Sequence, residues 1–211
     1  MTDLEATLEK TRMGHTQRSS LSLMNTPARY GLVAQTLHWL IVILVLLQFL
    51  LGIKAHGMPI SMERLMLLAR HKSIGISIFM LVILRLAWRC YSPPPPLPAT
   101  TSPRMATAAR VSHGLLYALL LLMPPVGWLL SSASNLTVSW FGLVSLPNLL
   151  APDRRLAHWL LLTHQSMAWL LCILILVHVC AAFWHHLVRK DDVLMRMLPF
   201  TRQHENHRDP R

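Results

Sequence analysis

Four apolar stretches, each long enough to cross a bilayer, constrain this chain more than any other feature. They run over about residues 31–52, 65–88, 111–132 and 156–188. A helix needs roughly 20 apolar residues to span the hydrocarbon core of a membrane. A helix on the surface of a soluble protein keeps a polar face, and four such runs in 211 residues leave no polar faces to solvate. Only 14% of the residues are charged, against roughly a quarter in an average soluble protein. The expected fold is therefore all-α, an integral membrane four-helix up-down bundle occupying residues 28–200. A flexible polar tail over 1–27 and a polar tail over 201–211 flank it.

Breakers fall between the runs. Ser92–Pro98 reads SPPPPLP, a stiff connector that cannot be helix, and Pro147 and Pro152 flank the segment before the last run. Pro124 and Pro125 lie inside the third run and should kink it, which a packed bundle tolerates. The first 30 residues carry Asp3, Glu5, Glu9, Lys10, Arg12 and Arg18 without an apolar stretch, so the first long run is expected to serve as the insertion signal. Translation from Met24 also fits this pattern. Three cysteines, Cys90, Cys172 and Cys180, lack any zinc-type spacing; Cys172 and Cys180 read as small packing residues.

The formal net charge is +11. A basic balance can mean nucleic acid, but so much apolar sequence excludes that partner and makes lipid the solvent. The distribution of charge then sets topology. Fourteen Lys and Arg fall in the N-terminal tail, the connector between the second and third runs, and the C-terminal tail. Six fall on the other side: Lys54, Arg64, Arg70, Lys72, Arg154 and Arg155. Both termini are thus expected in the cytoplasm, with the chain a multi-pass membrane protein.

Ionisable groups at membrane depth are costly and point to function. Four of the twelve histidines qualify: His38, His71, His164 and His178. His164 and His178 are fourteen residues apart, so at 100° per residue they share one helix face, separated by about 21 Å along the axis. In the expected topology His38 matches His178 in depth near the cytoplasm, and His71 matches His164 near the outer side. Two imidazoles on facing helices suit a haem iron. His113 could support a ligand from behind, and His185 could meet a propionate or a quinone. His158 faces elsewhere, His56 and His186 lie at interfaces, and His15, His204 and His207 lie in polar tails.

These residues resemble the bacterial dihaem cytochrome b561 family. The resemblance rests on LHW at 37–39, RHKSIG at 70–75, RLAWRCYSPPPPLP at 85–98, HGLLYALLLLMPPVGW at 113–128, THQSMAWL at 163–170, VHVCAAFWHH at 177–186 and DDVLMRMLP at 191–199. It covers about residues 28–200 in order and spacing, although Gln165 stands where many members carry Glu. The resemblance implies two haem b groups, one on His38 and His178 and one on His71 and His164. It implies quinone-linked electron transfer, and in one branch oxidation of superoxide at the outer face with reduction of ubiquinone.

Arg70, Lys72, Arg85 and Arg89 are natural contacts for haem propionates. The six outer basic residues face only Glu63 and Asp153, and Arg70, Lys72 and Arg155 could steer an anion such as superoxide. Two other readings compete. One is a cytochrome b anchor subunit that passes electrons to quinone from a redox partner protein, a hydrogenase or dehydrogenase. The other is a haem-free transporter or proton relay; it would need membrane-embedded acids, and the four apolar runs contain none.

Overall fold

The computed structural model describes residues 22–98 and 101–199. Four long helices dominate it: α1 Leu32–His56, α2 Met62–Tyr91, α3 Pro103–Ala133 and α4 Arg154–Trp184. All four are long and apolar enough to cross a membrane. They follow the four expected runs, with ends that local chemistry explains. The Ser61 side chain accepts from Arg64 N to start α2, and Ser102 does the same for Met105 N to start α3. Pro103, at the first position of α3, needs no donor there, so the helix begins well before its apolar stretch. Asp153 caps α4 by accepting from Arg155 N and Leu156 N. Pro124 and Pro125 lie within α3, which continues past them.

The helices pack in chain order, α1 on α2, α2 on α3 and α3 on α4. The core is a seam between α1 and α2. Ile41 and Val45 from α1 meet Ile74, Ile78 and Val82 from α2, spaced by four residues so that each set forms one ridge. Leu120 and Leu121 of α3 and Ile175 of α4 close over it. α4 contributes little: Leu171 is the only residue buried in its 31-residue length, against six in α1. Large apolar side chains such as Leu50, Ile53, Trp169 and Leu176 point outward, as lipid-facing residues do. Cys172 and Cys180 are also exposed and free, so they face outward and are not packing residues of the interior.

One element has no counterpart in the four-run pattern. Between α3 and α4, β1 (Val138–Trp140) and β2 (Val144–Leu146) form an antiparallel hairpin, with Trp140 opposite Val144. Phe141 and Gly142 both have positive φ, which turns the chain tightly, and Leu143 N donates to Trp140 O. The hairpin is tied to α2. Ser73 Oγ accepts from Phe141 N at 3.0 Å, and Trp140 Nε1 donates to Ser77 Oγ at 3.0 Å.

At the other end the chain folds back over the start of α1. After a π-helical turn, His185–Arg189, and a left-handed Lys190, residues 191–198 run across the bundle. Trp39 Nε1 donates to Met197 O, Gln35 Nε2 to Arg196 O and Arg196 Nη1 to Pro96 O. His185 Nδ1 pairs with Asp191 Oδ2 at 2.6 Å, which closes the turn. Residues 22–31 join the same layer, since Asn25 bonds Ser92 through its N and Nδ2 and accepts from Gly31 N. The rest of the N-terminal tail and residues 200–211 lie outside the described residues.

Candidate functional site

Two imidazole pairs stand at two depths in the bundle. His38 is the seventh residue of α1, and His178 is seventh from the end of α4. Their ring centres are 6.4 Å apart. His71 is the tenth residue of α2 and His164 the eleventh of α4, with ring centres 6.2 Å apart. These are the same two pairs that depth alone selects in the sequence. α4 carries one member of each pair, because the fourteen-residue spacing returns both to one face.

The separations have a simple chemical meaning. A metal–imidazole bond is about 2 Å, and the ring centre lies about 1 Å behind the bonding nitrogen, so two imidazoles on opposite sides of one metal have centres roughly 6 Å apart. Direct packing or a shared hydrogen bond would allow a closer approach. Among the described residues, no group of three or more His, Cys, Asp or Glu converges to hold a bare ion. The donor set therefore suits a metal that brings its own equatorial ligands and takes one imidazole on each face.

The surroundings of the pairs differ. At the His38/His178 pair, the ring of His113 on α3 meets His178 edge to face, with centres 5.2 Å apart. Arg85 reaches α1 one turn before His38. Its Nη1 donates to Ala34 O at 2.6 Å and its Nε to Tyr117 Oη at 3.1 Å, so the guanidinium is held between three helices. Arg89, Trp88 and Tyr30 line a small pocket beside it. Trp88 Nε1 is buried with no hydrogen-bond partner, and no carboxylate lines the pocket. Burial raises the Tyr30 phenol above its ordinary pKa, against the opposing fields of Arg89 and Arg85, so it stays protonated. Arg85, Arg89, Trp88 and Tyr30 together offer cations and N–H or O–H donors, which favours an oxyanion.

At the His71/His164 pair, Gln48 Nε2 donates to the His71 carbonyl at 2.9 Å. The Nδ1 atoms of both His71 and His164 are sealed from solvent and have no hydrogen-bond partner. Lys72, next in sequence to His71, lines a cleft of about 220 Å³ between Leu65, Leu68 and Ala69 on α2 and Leu136 to Ser139. Its Nζ reaches Thr137 O at 3.4 Å. Arg70 and Arg155 are exposed. His56, His158 and His186 are exposed and join neither pair, while His15, His204 and His207 lie outside the described residues. His185 is committed to Asp191, a pairing that its sequence position alone did not reveal.

Comparison with known proteins gives a consistent result. The family model for prokaryotic cytochrome b561 matches residues 29–200. Cytochrome b561 homolog 2 of Escherichia coli is 37% identical over 189 residues, covering 84% of this chain and 95% of that protein. A protein named probable superoxide oxidase CybB from Yersinia pestis is 30% identical over 172 residues, covering 81% and 96%. Cytochrome b561 homolog 1 of Escherichia coli is 28% identical over 165 residues, covering 77% and 93%.

Proposed function

The chain belongs to the prokaryotic cytochrome b561 family of membrane electron-transfer proteins, and on that premise we propose that His38 with His178, and His71 with His164, are the axial ligands of two b-type haems. The observation that carries this reading is the pair of ring separations, 6.4 Å and 6.2 Å, at two depths along one face of α4. When bound, a haem with two axial imidazoles supplies one-electron transfer and keeps no coordination position open for oxygen. The chain's own residues do the rest. Arg85 and Arg89 offer the cytoplasmic propionates cations, and Arg70 and Lys72 do so on the outer side. Termini in the cytoplasm place His71 and His164 nearer the outer face.

The finer reading is a superoxide:ubiquinone oxidoreductase. Superoxide gives up one electron and leaves as oxygen; the quinone takes two electrons and two protons and leaves as quinol, so two superoxides serve each quinone. Arg70 and Lys72 flank His71 in sequence, the exposed Arg155 lies at the start of the helix that carries His164, and a relative bears the name probable superoxide oxidase. The test is direct. A reduced-minus-oxidised spectrum with a redox titration of the purified protein should resolve two b-type components. Absence of a b-type band sinks the haem assignment. In proteoliposomes, ubiquinone should be reduced only when superoxide is generated; no reduction removes the superoxide reading and leaves an electron carrier.

A further inference from the structure

The two histidine pairs are held by different devices. His71 lies against α1 at Gly52, where a Cβ would stand 3.3 Å from its Cε1 and 3.6 Å from its Nδ1. His164 lies against α3 at Gly127, with 3.2 Å and 3.5 Å for the same atoms. The helix carbonyls beside these two glycines are those of Gln48 on α1 and Met123 on α3. Both residues lie four before the glycine. In a helix, the carbonyl of residue i meets the N–H of residue i+4, so each glycine lies beside the carbonyl in question. With no side chain at that point, a ring can enter the notch and approach the second lone pair of the carbonyl. The two notches repeat one geometry on two different helices. Glycine weakens a helix interior, so its presence at both places calls for a packing reason.

We propose that Gly52 and Gly127 are positioning residues for the outer pair: they uncover the Gln48 and Met123 carbonyls, which hold Nδ1–H against helix backbone and leave Nε2 of both rings to bind metal. Both Nδ1 atoms are sealed from solvent, so the carbonyl is the acceptor at hand. A metal-ligating histidine characteristically gives its second N–H to such a group, which fixes tautomer and ring angle. All four helices then build the outer site, with α2 and α4 supplying rings and α1 and α3 supplying notches. No glycine among the described residues abuts His38 or His178 in this way; His113 takes that place beside His178. The proposal rests on the axial-ligand reading above.

The test uses the full-length haem-loaded protein with Gly52→Ala, Gly127→Ala and, as control, Gly114→Ala, whose Cβ would meet nothing within 4 Å. Low-temperature EPR of the oxidised protein and a potentiometric titration are the readouts. Both alanine variants should shift the largest g value and the midpoint of one haem, the same haem in both, and leave the other unchanged. Gly114→Ala should match the wild type. Gly52→Val should lose that haem alone, about half of the total, as expected when outer ligand support weakens affinity by 10–100-fold; the retained second haem reports an intact fold. Spectra equal to the wild type in Gly52→Ala and Gly127→Ala, or shifts in different haems, overturn the proposal. Fewer than two haems in the wild type instead overturns the axial-ligand reading.

Discussion

His164 and His178 divide one helix face between two depths: His71 stands 6.2 Å from His164 and His38 6.4 Å from His178, with His113 a second neighbour of His178 at 5.2 Å. Replacing His164 by Ala is therefore expected to remove one haem and spare the other, which pyridine haemochrome and the redox titration would both count; a variant that keeps both haems refutes that ligand assignment. These four histidines are legible in the sequence because a polar ring in an apolar run is conspicuous and its depth can be counted in residues. Their supports are not. Gly52 and Gly127 are unremarkable letters until α2 and α4 bring rings against them. Cys172 and Cys180 show the opposite failure: a small apolar residue looks the same in sequence whether it packs inward or faces lipid, and here both face outward. The pairing of His185 with Asp191 depends on a π-helical turn and a left-handed Lys190, for which no sequence pattern is diagnostic.

At the scale of elements, run length identifies all four helices and leaves their ends to capping. Ser102 and Pro103 are visible starting signals for α3, but the apolar stretch begins later and draws the boundary with it. The hairpin is harder to read. Its strands are three residues long, too short for alternation to show, and its turn puts Phe141 in a conformation that bulky residues rarely adopt. It is held in place by α2. Ser73→Ala would leave the part-buried Phe141 N–H without its acceptor, and the expected cost is about 1 kcal/mol. Thermal unfolding in detergent should show a lower Tm, with protease sensitivity rising first between residues 134 and 153. An unchanged Tm and cleavage pattern would mean that the hairpin holds itself.

At the scale of the whole molecule, charge has two uses. Most of the basic residues mark one side of the membrane, while Arg70, Lys72 and Arg155 lie on the other with few acids nearby. If they steer an anion, neutralising all three should lower kcat/KM for superoxide by about 10-fold at low salt and flatten its dependence on ionic strength, leaving the haem spectrum unchanged. Stopped-flow superoxide decay over a salt series measures this; identical salt slopes for variant and wild type would exclude steering.

α4 buries one residue of its own and packs mainly along α3. Its faces toward α1 and α2, where His178 and His164 meet their partners, make few direct contacts, so a group bound between the rings would add to the hold that α3 provides. Any ligand that binds only the assembled form stabilises it in proportion to supply. Cofactor supply would then bear on biogenesis: chains made when haem is scarce would present to membrane proteases a last helix seated mainly along α3, and the amount of protein would follow the haem supply without any change in its synthesis.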